Sequence, residues 1–388
     1  MPDLFAEAGM TEFEQPMIEW TVGSRTHSAQ WRYERGAPQP RRVVTAVDIM
    51  SAVTAYRLAC EGTALLWKGD YHNARQLLQA MTRRVQRSRR SPADDKSIAE
   101  RFHLHRQAQA QQARTLGMVL VPVAAGHRVS LRRPPDVAEA CTSVFGAADA
   151  DYLISLRELL GLVGAWQWRL KGVSVPALDA TITPHYGVFS PIRGEYVDLV
   201  AQAPLPAKTL AFDIGTGSGV LAAVLVKRGV KQVVATDTDS RALACALDNL
   251  TQLGVAKQVA LQKMDLFPEG RAPLVVCNPP WVPARPSAPI ESAVYDPDSQ
   301  MLRGFLSGLA EHLTPDGEGW LILSDLAEHL GLRTREELLG WIDAAGLSVR
   351  DHHEIRPRHA KAQDSDDPLH AARAAEMTTL WRLVAKPD

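Results

Sequence analysis

The chain has 388 residues, of which 46% are hydrophobic and 22% charged, and its formal net charge is −1. A chain of this length and composition can bury a full core and is expected to form two domains. No apolar stretch reaches the roughly 18 to 20 residues of a membrane-spanning helix, and the acidic start lacks a signal-peptide pattern. These features argue against a membrane protein and predict a cytoplasmic location. The four cysteines are far apart and form no CxxC pair, so neither a disulfide framework nor a metal site is expected.

The first part of the chain is expected to be mainly helical and basic. Apolar residues recur at helical spacing over residues 43–90 and 137–170, and residues 98–114 read as a polar helix. Residues 118–123 form a short apolar run typical of a strand. Residues 25–114 contain 17 Lys and Arg against 7 Asp and Glu, whereas residues 181–388 contain 20 against 26. We predict a mainly helical substrate-recognition domain over residues 1–175, with a basic run from Arg83 to Arg90 that is either a solvated face or a nucleic-acid contact.

After residue 171, short apolar runs alternate with amphipathic ones, which is typical of a parallel sheet covered by helices. The predicted strands are residues 210–214, 232–236, 259–263, 274–277, 319–324, 347–354 and 378–384. The predicted helices are residues 220–228, 240–253, 301–312 and 335–345. The sequence therefore predicts an α/β catalytic domain over residues 176–388.

A glycine-rich segment follows the first predicted strand and opens the next helix. It reads DIGTGSG over residues 213–219, and Asp237 stands twenty residues beyond Gly217, at the distance from which an acidic side chain reaches ribose hydroxyls. The spacing lacks the last glycine of the dinucleotide fingerprint, so it is not shaped for a pyrophosphate. Asp213 would repel phosphate but suits an ammonium group, and Asp265 in MDLF is placed to meet an adenine amino group.

These residues predict a nucleoside cofactor that carries an amino-acid group. The predicted cofactor-binding residues are Asp213, Gly215, Thr216, Gly217, Gly219, Asp237, Thr238, Asp265, Leu266 and Asn278. The alternatives are a nicotinamide or flavin site, and a glycine turn with a purely structural role.

Asn278, Pro279, Pro280 and Trp281 follow the fourth predicted strand, at the edge of the sheet where ligands bind. Proline has no N–H, so an amino group bound there would meet acceptors, namely the Asn278 side-chain oxygen and the Pro279 carbonyl. Two acceptors would favour a pyramidal nitrogen and direct its lone pair at an activated methyl group. Trp281 would stack on a flat substrate group. The alternative is a proline-rich loop in which Trp281 only packs.

Together, DIGTGSG, Asp237, MDLF and NPPW resemble the class I methyltransferases of the amino-group type, above all the release-factor and ribosomal-protein glutamine N5-methyltransferases. Adenine-N6 and guanine-N2 methyltransferases share the Asn-Pro-Pro-aromatic signature. The resemblance covers roughly residues 181–384. It implies a seven-stranded, doubly wound, Rossmann-like sheet, S-adenosylmethionine as cofactor without a metal, and Asn278 with the Pro279 carbonyl as the site of the target nitrogen.

Residues 187–196 precede the first strand and resemble the flap that these enzymes place over cofactor and substrate. Phe189 and Pro191 would then shield the methyl donor, and Arg193 would hold a carboxylate or phosphate. The alternative is a surface loop with a chance arginine.

The expected function is therefore methylation of a planar amide or amino nitrogen. The first hypothesis for the acceptor is a protein glutamine, with the translation machinery as the partner. Trp281 stands where the glutamine enzymes usually have tyrosine, and the N-terminal part is longer than theirs. Three alternatives stay open: a nucleic-acid base, a small metabolite, or a binding module without catalytic activity.

Overall fold

The computed structural model describes residues 16–33, 39–87, 96–192, 194–286, 291, 293–357 and 369–387. The chain divides into two compact units, the first comprising residues 1–90 and 107–164 and the second residues 91–106 and 165–388. The proposed domains 1–175 and 176–388 differ from this division in residues 91–106 and 165–175. Within the described ranges, every helix is too short or too polar to span a lipid bilayer.

The N-terminal unit is built on a sheet. Its strands are β1 (Met17–Val22), β2 (Arg25–Trp31), β3 (Arg42–Ala46), β4 (Thr63–Trp67), β5 (Val119–Ala124), β6 (Arg128–Val129) and β7 (Tyr152–Ser155). The helices of this part of the sequence are α1 (Ala52–Cys60), α2 (Tyr71–Arg87), α3 (Ile98–Leu116), α4 (Ala138–Phe145) and α5 (Leu156–Lys171). In the described residues the sheet has seven strands in the order β1-β2-β7-β5-β4-β3, with β6 paired to β5. Strands β3, β4 and β5 are parallel.

The prediction of a mainly helical N-terminal domain is therefore wrong, because the unit is of the α/β type. Residues 43–90 contain β3 and β4 beside the two expected helices, and residues 137–170 contain β7. The reason is visible in Thr63–Trp67, where all five residues are buried. A strand covered on both faces has no polar alternation, so its sequence cannot be distinguished from a buried helical turn. The strand predicted at residues 118–123 is confirmed as β5.

The C-terminal unit has the predicted α/β architecture. Its strands are β8 (Val173–Val175), β9 (Ala180–Ile182), β10 (Leu210–Ile214), β11 (Gln232–Asp237), β12 (Val259–Lys263), β13 (Ala272–Cys277), β14 (Leu313–Ser324), β15 (Leu347–Ile355) and β16 (Thr378–Ala385). Its helices are α6 (Glu195–Gln202), α7 (Val220–Lys227), α8 (Ser240–Gln252), α9 (Gln300–His312), α10 (Leu326–His329), α11 (Arg335–Ala344) and α12 (His370–Ala375). In the part of the chain described, β10 to β16 form a seven-stranded sheet in the order β12-β11-β10-β13-β14-β16-β15.

The predicted strands and helices of this unit are confirmed, with shifts at their ends. The largest shift is in β14, which begins at Leu313 instead of residue 319. Among the described strands of this sheet, β16 runs in the opposite direction to the other six. Val200, Leu225 and Ala246 of α6, α7 and α8 belong to one core, and Phe305 and Ile342 of α9 and α11 belong to another. The sheet is therefore doubly wound.

Strand register brings the sequence motifs to one edge of this sheet. Ile214 lies opposite Thr236 on one side and opposite Cys277 on the other. Asp237 lies opposite Lys263. Because these strands are parallel, the residues that follow each of them meet at the same carboxyl edge, which is where open α/β sheets bind ligands.

Candidate active site

A cavity of about 570 Å³ opens at the carboxyl edge of β10 to β13. The predicted site residues that line it are Phe189, Gly215, Thr216, Gly217, Asp237, Thr238, Asp265, Leu266, Asn278 and Pro280. The remaining described candidates, which are not among the lining residues, are Asp213, Gly219, Pro191, Pro279 and Trp281. The predicted residues that line the cavity thus come from five separate segments of the chain.

The glycine loop needs its glycines for two different reasons. Gly215 has φ +71°, and a Cβ there would lie 2.6 Å from the Met301 methyl carbon, inside the cavity wall. Gly219 has φ +78°, and its Cβ would lie 3.0 Å from Ala246 Cβ and 3.1 Å from Ala246 Cα. The first glycine therefore leaves space at the ligand, and the second lets α7 begin close against α8.

Asp213 lies beneath this loop. Its Oδ2 accepts hydrogen bonds from Thr216 Oγ1 at 2.7 Å and from the Ala222 backbone N–H at 3.1 Å. The residue is 1% exposed, and burial raises the pKa of its carboxyl group to about 6. The described contacts of Asp213 support the loop and the start of α7. Its predicted contact with a cofactor ammonium group stays a prediction.

Asp237 ends β11 beside the loop. Its Oδ2 accepts a hydrogen bond from Gly217 N–H at 3.0 Å, and its Oδ1 accepts one from Asp239 N–H at 2.9 Å. Burial raises the pKa of Asp237 above its ordinary value. The Thr238 backbone N–H also donates to this carboxylate. Three donors leave part of its acceptor capacity unused, so the fixed carboxylate can still accept a hydrogen bond from a hydroxyl group.

The end of the neighbouring strand β12 also contributes to the cavity. Met264, Asp265 and Leu266 all line the cavity. Leu266 has φ +59°, and its carbonyl accepts a hydrogen bond from Thr236 Oγ1 at 2.6 Å. This bond to β11 fixes an unusual backbone conformation next to the pocket.

Asn278 follows β13 directly and faces the cavity. Its Oδ1 accepts a hydrogen bond from Trp281 Nε1 at 2.9 Å, a contact that the sequence analysis did not foresee. The Trp281 ring packs against residues of three apolar clusters. The indole thus orients the Asn278 amide, and stacking of Trp281 on a substrate stays a prediction. Pro279 is buried, and Pro280 lines the cavity.

The sequence analysis missed Asp296, which lines the cavity and is 5% exposed. Its two carboxylate oxygens accept hydrogen bonds from Met301 N–H and Leu302 N–H, both at 3.1 Å. Burial raises the pKa of this carboxyl group. The signal that could have found it is an aspartate followed by proline just before a predicted helix, which is a common way for a helix to start.

Part of the segment predicted to form a flap lines the cavity, and its role as a flap stays a prediction. Gly187, Val188 and Phe189 line the cavity, and the Phe189 ring lies 6.3 Å from the Tyr196 ring, measured between centroids. Pro191 is buried outside the lining. Arg193 lies outside the described residues, so its predicted role stays a prediction.

Comparisons with known proteins match part of the chain. Residues 199–279 match the family model described as ribosomal protein L11 methyltransferase (PrmA). The chain is 30% identical over 171 residues to a release factor glutamine methyltransferase of Cereibacter sphaeroides, which is 40% of this chain and 59% of that protein. It is 34% identical over 126 residues to a ribosomal protein L11 methyltransferase of Vibrio campbellii, or 32% of this chain and 42% of that protein. The matches thus span about half the length of these relatives.

Solved structures that match include a ribosomal protein L11 methylase from Lactobacillus delbrueckii subsp. bulgaricus, at 19% identity and a TM-score of 0.37, covering 52% of this chain and 82% of that one. A second is a SAM-dependent methyltransferase from Thiobacillus denitrificans in complex with S-adenosyl-L-homocysteine, at 18% identity and a TM-score of 0.35. This match covers 51% of this chain and 92% of that one. With the strand order described above, the C-terminal unit has the class I S-adenosylmethionine-dependent methyltransferase fold.

Proposed function

We propose that this protein is an S-adenosylmethionine-dependent methyltransferase that methylates a planar amide or amino nitrogen. The observation that carries the proposal is the position of Asn278. The register of β10 and β13 pairs Ile214 with Cys277, so Gly215 and Asn278 follow neighbouring strand ends. An acceptor bound by Asn278 would therefore lie next to a cofactor bound by the glycine loop. A cytoplasmic location is part of the proposal because the substrates considered below belong to translation.

The residues that line the cavity fit this cofactor. Asp237 would accept hydrogen bonds from the ribose hydroxyls, Asp265 would face the adenine amino group, and Gly215 and Gly217 would let the chain approach closely. Thr216, Thr238 and Leu266 would complete this wall, and Phe189 would cover it. The cofactor supplies an activated methyl group, so the protein has to bind and orient the two reactants.

Asn278 and Pro279 would hold the acceptor nitrogen. The Asn278 Oδ1 receives the Trp281 N–H with one lone pair and keeps the other for an N–H of the acceptor. The Pro279 carbonyl would take a second N–H. Pro280 and Trp281 would contribute by holding this turn rigid, because two prolines restrict the backbone and the indole bond fixes the amide.

A protein glutamine is the acceptor that the relatives favour. The release factor glutamine methyltransferase is 30% identical to the chain over 171 residues, and its name identifies a glutamine of a release factor as its substrate. A primary amide has two N–H groups, which matches the two acceptors at Asn278 and Pro279. The proposed partners are therefore proteins of the translation machinery.

A nucleic-acid base is a second candidate acceptor, and helix α2 is the observation that favours it. The helix carries Arg75, Arg83, Arg84 and Arg87 and no acidic residue. Arg75, Arg83 and Arg87 are exposed and form no ion pair within the described residues. Clustered cations of this kind bind phosphates. Residues 88–90 of the predicted basic run lie outside the described residues.

Replacing Asn278 tests the proposal. Asn278→Ala should lower methyl transfer by roughly 100- to 1000-fold, because an acceptor of the reacting group is lost, while the affinity for S-adenosylmethionine changes little. Asp237→Ala should do the opposite and weaken cofactor affinity by roughly 10- to 100-fold. Calorimetric titration with S-adenosylmethionine and transfer of a labelled methyl group to a cell extract measure the two effects. Equal transfer by the Asn278→Ala variant would remove this residue from the mechanism.

A further inference from the structure

The beginning of helix α3 belongs to the C-terminal unit, although it lies about 100 residues before the first methyltransferase motif. Residues 91–106 cluster with residues 165–388. Phe102 is 2% exposed and belongs to an apolar cluster with Val282, Leu326 and Leu330, against which Trp281 also packs. This turn of α3 therefore covers the segment that follows the Asn-Pro-Pro-Trp motif, of which residues 282–286, 291 and 293–296 are described. Both the turn and the segment lie outside residues 199–279, which the family model matches.

Arg106, at the end of this stretch, binds the same segment through its charged group. Its Nη1 and Nη2 donate to the two carboxylate oxygens of Glu291 at 3.1 and 2.8 Å, and Nη2 also donates to the Arg285 carbonyl at 3.1 Å. The guanidinium lies 4.0 Å from the centroid of the Tyr295 ring. Arg106 is 8% exposed, so the contacts are made away from most of the solvent. A bidentate pair with a ring on one face fixes both the position and the plane of the guanidinium.

The electrostatics agree with a strong pair. Burial alone would lower the pKa of Arg106, but the hydrogen bonds to Glu291 and the negative charge of Glu291 oppose this, and the pKa lies above its ordinary value. Removing one partner of a half-buried pair leaves the other charge without compensation. The free-energy cost is larger than for breaking an exposed pair. Arg106 is therefore placed to hold the segment in one conformation.

The contacts continue from Tyr295 to the cavity. Val282 N–H donates to the Val294 carbonyl at 3.1 Å, and Asp296 N–H donates to the Val282 carbonyl at 2.9 Å. Asp296 lines the cavity and holds the first turn of α9, which carries Met301. Displacing Tyr295 would therefore move the backbone next to Trp281 and the wall made by Asp296.

We propose that Arg106 is a positioning residue for the acceptor side of the active site, which it holds in shape through Glu291 and Tyr295. The inference rests on the proposed function and deepens it. It assigns part of the acceptor wall to an N-terminal segment outside the methyltransferase motifs. The glycine loop, Asp237 and Asp265 follow other strands, so we expect Arg106 to affect cofactor binding less than acceptor binding.

Arg106→Gln, Glu291→Gln and the double variant test this inference in the full-length protein, with Arg101→Gln on the same helix as the matched control. Hydrogen exchange at the Val282 and Asp296 amides reports on the segment without any methylation. Arg106→Gln should raise exchange at both amides and lower the rate of label transfer from S-adenosylmethionine to cell extract by roughly 10- to 100-fold. The affinity for S-adenosylmethionine should change by less than about threefold.

The double variant should lose no more activity than Arg106→Gln alone, because both changes remove one interaction. Arg101→Gln should match the wild type in every readout. Unchanged exchange in Arg106→Gln, or losses that add up in the double variant, would overturn the inference. If the wild type transferred no methyl group, the proposed function would fail while the exchange result would still decide whether Arg106 holds the segment.

Discussion

The side-chain oxygen of Asn278 has two hydrogen-bonding positions, and Trp281 occupies one of them. Sequence reasoning predicted that this oxygen would accept from a substrate, because prolines beside it remove competing donors. It could not predict that an indole three residues later would turn back and donate to it, since that contact depends on how the ring packs between three apolar clusters. The tryptophan therefore acts on the acceptor site through the asparagine.

Trp281→Phe separates this bond from packing. Phenylalanine keeps an aromatic ring in the same place but cannot donate, so the Asn278 amide would lose its fixed orientation. A single hydrogen bond of about 1 kcal/mol corresponds to a loss of roughly fivefold in the rate of methyl transfer. Trp341→Phe on α11, away from the cavity, is the control. The comparison uses labelled S-adenosylmethionine with cell extract, and equal rates for wild type and Trp281→Phe would show that the bond has no role in turnover.

Asp213 makes the stability of the protein depend on pH. Burial raises the pKa of its carboxyl group from 3.8 to about 6 in the folded protein. The folded state therefore binds the proton more tightly, and the free energy of unfolding falls as pH rises from about 4 to 6, by an amount of the order of 3 kcal/mol. Asp213→Asn keeps the shape of the side chain but does not titrate.

Denaturant unfolding at several values between pH 4 and pH 8 compares the two proteins. Relative to Asp213→Asn, the wild type should lose stability up to about pH 6 and then stay level. A difference that does not change over this range would show that Asp213 is not buried as a neutral acid.

At the scale of elements, the C-terminal unit was predictable because its strands, helices and turns each carry a local signal. Helix α8 begins at a capping aspartate, and α11 begins with a capping box made by Thr334 and Glu337. Strands β4 and β7 were missed because every residue in them is buried, so their sequences have no polar alternation. The glycine loop could be placed from its sequence alone, whereas the contacts of Arg106 are with Glu291 and Tyr295, far along the chain.

The contact between α7 and α8 at Gly219 can be measured with a pair of variants. Gly219→Ala and Gly254→Ala both put alanine at a positive φ, +78° and +72° respectively, but only the first Cβ meets another residue, Ala246. Gly254→Ala should cost about 1 kcal/mol of unfolding free energy, as is usual for this conformation. Gly219→Ala should cost more, about 2 to 4 kcal/mol, because α8 must move away. Equal losses in denaturant unfolding would mean that the two helices do not meet closely at Gly219.

At the scale of the whole molecule, the chain combines two compact units that are both of the α/β type. In the C-terminal unit, register alone joins four separate segments into a cavity. The described part of the N-terminal unit has no counterpart in the matched family segment, residues 199–279, and it carries the exposed arginines of α2. Its sequence offers no motif for a particular substrate, so the choice of acceptor has to be measured.

The most direct test follows a labelled methyl group from S-adenosylmethionine into an extract of cells that lack the gene. Wild-type protein and the Asn278→Ala variant are incubated in parallel, and the product is treated with protease or with nuclease. We predict a label that protease destroys and nuclease leaves, and that is nearly absent with Asn278→Ala. Label that is sensitive to nuclease or of low molecular mass, or equal label from both proteins, would contradict the proposal of a protein N-methyltransferase that works through Asn278.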